Sequence, residues 1–123
     1  MKTVTFTPFE ALGKDDRGTT TEIILDRAGK ALSIFRKAGT VFGNHYHSGS
    51  QVAKNPEIFW LLHGKLKFEY KTVEASEWQT ETVESATKME IYPNVVHRVT
   101  ALTDSYMLEL NSLQEHVDDT VKI

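Results

Sequence analysis

Apolar and polar residues alternate along most of this chain, and this alternation predicts β-strands because successive strand side chains point to opposite faces. The pattern covers residues 2–6, 21–25, 30–35, 57–62, 65–70, 78–83, 88–92, 97–102 and 105–110. Turn-forming residues separate these stretches at 13–18, 26–30, 37–40, 47–51, 54–56, 92–94 and 102–105. Many short strands with regular turns are typical of a β-sandwich or β-barrel, here of about eight to eleven strands.

Helical patterns are weak. Residues 9–16 contain helix-forming residues, but Gly13 interrupts them. Residues 72–88 also favour a helix by composition, and a hairpin with a polar loop explains them equally well. The polar residues 114–123 leave open whether they fray or pack along a neighbouring element.

Length and composition limit the class of protein. The 123 residues, 40% of them hydrophobic, suit one domain with a real core, expected over residues 1–123. A net charge of −3 without a basic run gives no reason to expect nucleic acid or a membrane surface as partner. The alternating start does not resemble a secretory signal, and no apolar stretch is long enough for a membrane span. The expected location is therefore the cytoplasm.

The candidate chemistry lies between Gly39 and Gly64. Cysteine is absent, so a metal ion would need nitrogen and oxygen ligands. His45 and His47 are two residues apart, and on a strand they would share one face at a spacing of about 6–7 Å. Without further partners, such a pair is equally well explained as a polar, solvent-facing surface.

Two residues later in the sequence could complete a metal site together with His45 and His47. Glu57 opens an apolar stretch, where a buried carboxylate needs a charged partner, although it could also remain in water at the strand end. His97 follows a proline-containing turn. Three imidazoles and a carboxylate suit zinc, iron, manganese, nickel or copper better than calcium or magnesium.

These residues resemble the two motifs of the cupin superfamily. The first motif is represented by Gly39, His45, His47, Glu57 and Gly64, with nine residues between His47 and Glu57 where three or four are usual. The second is represented by 92–97, where Asn94 replaces a glycine. The resemblance implies an all-β, cupin-type jelly-roll barrel. It also implies one divalent ion, zinc first with iron, nickel or manganese as alternatives, bound by His45, His47, Glu57 and His97.

A narrower resemblance covers about residues 15–111. In order, its elements are similar to the C-terminal cupin domain of bifunctional capsular-polysaccharide enzymes, which epimerise and reduce a UDP-linked keto-sugar. Arg17, Gly18 and Glu22 also resemble an element of the dTDP-4-keto-sugar 3,5-epimerases. That resemblance implies substrate binding by Arg17 and Glu22. Epimerases that work without a metal have a glutamine at the position of the second histidine of this pair. The histidine at position 47 therefore favours metal ligation.

Further candidates are individual side chains. His63 lies on the same strand face as Glu57 and is a candidate acid or base, although a strand-end histidine before a turn is more often structural. Tyr46 is a second candidate base, and Lys54 could bind a phosphate or carboxylate of the substrate. His116, in the polar tail, has no functional signal. Many cupins dimerise through their sheets, so a homodimer is expected.

The resemblance favours an epimerase or isomerase that acts on a nucleotide-linked keto-sugar in polysaccharide biosynthesis. In such a reaction a metal ion polarises the ketone and stabilises the enolate. An iron-dependent oxygenase is one alternative, because the same ligands suit iron(II). A non-enzymatic cupin that binds or senses a small acid or sugar is the other.

Overall fold

The computed structural model describes residues 2–27 and 29–123, so Ala28, in the predicted turn over 26–30, lies outside the described residues. The described residues form twelve strands and one short helix. In chain order these elements are β1 Val4–Pro8, β2 Gly13–Asp15, β3 Gly18–Thr20, β4 Leu32–Arg36, β5 Val41–Tyr46, β6 Glu57–His63, β7 Lys65–Thr72, β8 Gln79–Glu84, β9 Thr87–Ile91, β10 Val95–Ala101, β11 Ser105–Glu109, α1 Leu113–Asp118 and β12 Val121–Lys122.

Two five-stranded antiparallel sheets enclose the core. The first has the order β1-β9-β6-β11-β4 and the second the order β12-β5-β10-β7-β8, while β2 and β3 form a separate hairpin. From β8 to β11 the chain changes sheet at every connection, so that consecutive strands lie in opposite sheets. The predicted all-β, jelly-roll architecture is confirmed. The strand count exceeds the predicted range by one because residues 121–122 pair with β5.

The main core lies between the sheets and continues the alternation seen in the sequence. Phe59 and Leu61 of β6 face Phe68 of β7 and their neighbours in one buried cluster. The intervening Trp60 points to the opposite face of β6, where Phe9 and other apolar residues cover it. Both faces of β6 are therefore buried, which explains its continuous apolar sequence.

The structure contradicts one predicted strand and decides between the two alternatives for residues 72–88. Residues 21–25 have no strand assignment, and Ile23 instead packs against the Trp60 cluster. This prediction was wrong because the segment pairs with no sheet edge among the described residues, and Ile24 and Leu25 are exposed. Residues 72–88 form the predicted hairpin, with β8 paired to β7. Within the described part of the chain, no helix has the length and apolar character needed to cross a membrane.

Candidate functional site

Two neighbouring strands of the second sheet bring histidines together. His45 of β5 pairs with His97 of β10, and the register shifts immediately after His97. Gly43 has φ +84°, and a Cβ atom there would lie 3.1 Å from the carbonyl oxygen of His97. Asn44 also has a left-handed backbone, with φ +58°. This irregular backbone lets β5 approach β10 closely at the histidines.

The side chains predicted as metal ligands converge. The candidate ligand atoms of His45, His47 and His97 all lie within 4.8 Å of one another. Glu57 reaches the same point from the first sheet, with Oε2 2.9 Å from Nε2 of His47 and Oε1 3.9 Å from Nε2 of His97. His47, Glu57 and His97 are buried, and His45 is partly buried. The structure therefore brings together all four residues of the predicted ligand set.

Backbone carbonyl groups orient two of the rings. Nδ1 of His47 lies 2.7 Å from the carbonyl oxygen of Asp119, and Nδ1 of His97 lies 3.0 Å from that of Val95. A carbonyl oxygen only accepts, so both Nδ1 atoms donate and, in the neutral rings, Nε2 keeps its lone pair. Among the described residues, buried Nε2 of His47 forms no hydrogen bond, although Oε2 of Glu57 lies 2.9 Å away.

The protonation states also suit cation binding. Burial, followed by the neighbouring His97 and His47, lowers the pKa of His45 to about 3. Burial is also the main cause that lowers the pKa of His97 to about 4. Burial alone would raise the pKa of Glu57, but His47 and Lys54 favour its carboxylate and hold that pKa well below its ordinary value. At neutral pH, His45 and His97 are therefore uncharged and Glu57 carries a negative charge.

Lys54 is fully buried behind Glu57, with a relative exposure of 0%. Its ammonium group forms a hydrogen-bonded ion pair with Oε2 of Glu57. It also lies 3.0 Å from Oδ1 of Asn111 and 3.0 Å from Nδ1 of His116. The sequence predicted Lys54 as a substrate-binding residue, but the structure directs its ammonium to protein groups.

The C-terminal segment completes the site. Helix α1 begins after Ser112, whose side chain accepts a hydrogen bond from the backbone of Glu115 while the Glu115 carboxylate accepts one from the backbone of Ser112. The helix places the ring centroid of His116 5.5 Å from that of His45. Asp119 follows the helix and accepts hydrogen bonds from the loop after His47. Four of the five histidines of the chain thus share one site.

A cavity of about 410 Å³ opens onto the histidines. Its apolar walls include Phe42, Phe59 and Phe68, and Arg36 lies among the lining residues. Glu109 also lines the cavity. Burial, with a contribution from Glu57, raises the pKa of Glu109 to about 7. The cavity thus combines an apolar wall with a carboxyl group that can gain or lose a proton near neutral pH.

The other predicted site residues lie elsewhere. His63 is exposed at the far end of β6, six residues and about 20 Å along the strand from Glu57. Sharing a strand face therefore does not bring it to the cavity. Tyr46 lines a different depression beside Val73. Arg17 pairs with Asp15 on the β2–β3 hairpin, with 90% of its side chain exposed.

Glu22 is also exposed. None of these four residues lines the cavity at the histidines.

Sequence reasoning missed His116, Glu109 and Asp119. Two signals were present. Glu109 alternates in phase with Ser105 and Met107, which places it on the inward face of β11. The Ser112-x-x-Glu115 pattern marks a helix start just before His116. Asp119 had no comparable signal, because its contacts depend on the packing of the C-terminal segment.

Similar folds occur among solved structures of enzymes that act on nucleotide-linked sugars. A sugar 3,4-ketoisomerase from Thermoanaerobacterium thermosaccharolyticum, in complex with TDP, superposes with a TM-score of 0.70 at 17% identity, covering 98% of this chain and 88% of that one. A dTDP-6-deoxy-D-glucose 3,5-epimerase from Legionella pneumophila, in complex with dTDP-4-keto-L-rhamnose, gives a TM-score of 0.69 at 14% identity, covering 98% of this chain and 72% of that one.

A third similar structure is the capsular polysaccharide assembling protein CapF from Staphylococcus aureus. The TM-score is 0.61 at 22% identity, and the match covers 94% of this chain but 34% of that one. Neither a protein-family model nor a curated protein sequence matches the chain. The structural likenesses show that the chain has the cupin-type fold predicted from its histidine motifs.

Proposed function

We propose that this protein is a metal-dependent isomerase or epimerase that acts on a keto-sugar linked to a nucleotide. The observation that carries the proposal is the convergence of His45, His47, His97 and Glu57 at one end of the cavity. The fold is shared with a sugar 3,4-ketoisomerase and a 3,5-epimerase, which supports the same reaction class.

The residues present fit a divalent ion. Buried Nε2 of His47 lacks a hydrogen-bond partner, and the His97 ring is oriented in the same manner with its Nδ1 atom donating to a carbonyl group. Metal-binding histidines commonly donate their second nitrogen to such a group. Nitrogen ligands with one carboxylate suit zinc, and also iron, nickel or manganese. His45, His47, His97 and the carboxylate of Glu57 would bind the ion.

The bound ion would supply Lewis-acid polarisation of the sugar ketone. Removal of a proton from the hydroxyl-bearing carbon next to the ketone would leave an enolate. Return of a proton to the other face of that carbon would complete an epimerisation. In an isomerisation, a proton would instead be added to the former carbonyl carbon, while the neighbouring hydroxyl gives its proton to the former ketone oxygen and becomes the new ketone. Glu109 is the proton carrier that the cavity favours, because its pKa lies at about 7 and it lines the cavity. It replaces His63 and Tyr46, which do not line the cavity.

The apolar wall supports this chemistry. Phe42, Phe59 and Phe68 surround the space beside the histidines. Their side chains exclude water from the reacting carbon, so that electrostatic interactions with the developing negative charge are strengthened. The cavity walls would thus favour return of the proton to the reacting carbon from a protein group instead of from water.

Elemental analysis tests the metal centre. We expect one equivalent of divalent metal in the purified protein, and loss of this metal in His47→Ala. His63→Gln is the matched control, because His63 lies outside the histidine cluster, and it should retain the wild-type metal content. Equal, substoichiometric metal in wild type and His47→Ala would contradict the proposed metal centre.

Solvent deuterium exchange tests the reaction. With UDP- and dTDP-4-keto-sugars in deuterium oxide, we expect deuterium to enter the carbon next to the ketone, and Glu109→Gln to slow this exchange by about 100-fold or more. An absence of exchange across the panel would count against the isomerase. Oxygen consumption with iron but not zinc would instead support the oxygenase alternative.

A further inference from the structure

Protein groups accept all three hydrogen bonds that the ammonium group of Lys54 can donate. It can donate three hydrogen bonds, and the structure supplies three acceptors for them: the Glu57 carboxylate, Oδ1 of Asn111 and Nδ1 of His116. A fourth group, the Glu109 carboxylate, lies 3.7 Å away. Lys54 is therefore held as a cation inside the protein, and its ammonium has no remaining proton for a ligand.

This arrangement determines the tautomer of His116. Because an ammonium group has no lone pair, the contact at 3.0 Å requires Nδ1 of His116 to accept. An imidazole that accepts at Nδ1 is neutral and carries its proton on Nε2. The tautomer is thus the reverse of that in His47 and His97, whose Nδ1 atoms donate to carbonyl groups.

The contact with Lys54 also argues against His116 as a metal ligand. A ligand atom of His116 lies within 4.8 Å of His47 and Glu57, so that these three residues form a second geometrically possible metal group. However, the Lys54 ammonium already contacts both Glu57 and His116. With Nδ1 engaged by this ammonium and a proton on Nε2, the His116 ring has no lone pair left for a metal ion, whereas Glu57 keeps Oε1 on the side of His97. The His45–His47–His97 group has no such cation among its hydrogen-bond partners.

We propose that Lys54 is a positioning residue that fixes His116 as an Nε2–H hydrogen-bond donor for an oxygen atom of the sugar substrate, and that His116 is not a metal ligand. His116 lines the cavity, and its side chain is 25% exposed, so its ring is accessible to a bound molecule. The assignment of the sugar as ligand rests on the proposed function. The tautomer and the exclusion of His116 from the metal do not depend on the substrate.

Nitrogen-15 NMR of histidine-labelled, metal-free protein tests the tautomer directly. We expect the His116 ring, identified by loss of its signals in His116→Gln, to show an unprotonated Nδ1 and a protonated Nε2. In Lys54→Met this fixed pattern should be replaced by an average of both tautomers. Lys65→Met removes an exposed lysine and should leave the His116 signals unchanged. A wild-type His116 protonated at Nδ1 would overturn the proposal without need of any variant.

Cobalt(II) substitution tests the exclusion of His116 from the metal. We expect His116→Gln to bind one equivalent of cobalt with the wild-type absorption spectrum, whereas His45→Gln changes the spectrum or loses the ion. A change in His116→Gln equal to that in His45→Gln would show that His116 is a ligand and overturn the proposal. If wild-type protein binds no cobalt, the proposed metal centre fails, and the NMR tautomer alone decides the role of Lys54.

Discussion

Nδ1 of His47 lies 2.7 Å from the carbonyl oxygen of Asp119, although the two residues are separated by 72 positions in the sequence. The Asp119 carboxylate also accepts hydrogen bonds from the backbone amides of Ser48, Gly49 and Gln51 and from the Ser48 hydroxyl. A single residue therefore orients a candidate ligand ring and holds the loop that follows it. The long loop between His47 and Glu57 is fixed at its start by this contact.

Replacement of Asp119 by alanine should destabilise the protein by about 3 kcal/mol, because several partly buried donors lose a charged acceptor. Urea denaturation measures the change. Asp118→Ala is the matched control, since the neighbouring aspartate is exposed and bonds only to Gln114 on the same helix. It should cost less than about 0.5 kcal/mol. An equal decrease in the free energy of unfolding of the two variants would show that the contacts of Asp119 with the loop contribute little to stability.

Glu57 and Lys54 should show strong energetic coupling in metal-free protein. Either Glu57→Gln or Lys54→Met leaves a buried charge without its partner, at an expected cost of about 3–5 kcal/mol. The double variant Glu57→Gln/Lys54→Met should be more stable than the sum of the single effects predicts, because neither charge remains. A double-mutant cycle from urea denaturation measures the coupling. Strict additivity would contradict the buried ion pair.

Glu109 should make metal-free protein less stable as the pH rises from about 4.5 to 7. Its pKa is raised from the ordinary 4.5 to about 7, first by burial and then by Glu57, so the folded state binds more protons than the unfolded state in this range. Protonation thus favours folding, and this favourable contribution is greatest below 4.5 and lost above 7.

Glu109→Gln isolates this effect. Histidines with lowered pKa values, such as His45 and His97, act in the opposite direction, because burial favours their neutral forms and stability falls as they become protonated. The difference between wild type and Glu109→Gln removes their contribution. We expect the variant to gain up to about 3 kcal/mol relative to wild type between pH 5 and 8 in urea denaturation. If the two proteins differed by the same free energy of unfolding at every pH in this range, the raised pKa of Glu109 would be contradicted.

Gly64 should tolerate no side chain. It connects β6 to β7 with φ +122°, and a Cβ atom there would lie 2.8 Å from Cα of Ser105. We expect Gly64→Ala to cost about 3 kcal/mol or more, from backbone strain and from displacement of β11. Gly39 also has a positive φ, +88°, but open space around it. Gly39→Ala should therefore cost only about 1 kcal/mol in thermal or urea unfolding.

The sequence predicted the fold and the four candidate ligand residues that the structure brings together, because both depend on local regularities. Strand alternation identified most strands, and the parity of His45 and His47 indicated a shared face. Glu57 was identified in spite of its longer loop, since the ends of that loop stay close together. These features can be predicted from the periodicity of a strand and the spacing of a motif alone.

Residues outside these regularities were not predicted. The sequence predicted Lys54 as a substrate-binding residue. Its burial depends on Glu57 and on two partners in the C-terminal segment, Asn111 and His116. His116 reaches the site only because α1 folds back over β5, which a polar segment does not indicate. His63 does not line the cavity, because two residues on the same strand face can be farther apart than the width of the site.

The pairing of β12 with β5 has a consequence for the order of folding. The β7–β8 hairpin joins adjacent segments and closes a short loop, whereas the contact of His47 with residue 119 closes a loop of 72 positions. Long loops carry the larger entropic cost, so this part of the barrel forms late. An ion that binds the finished histidine cluster would then slow unfolding and leave the folding rate almost unchanged. The proposed metal centre would then be assembled by folding, and a bound ion would stabilise a structure that is already formed.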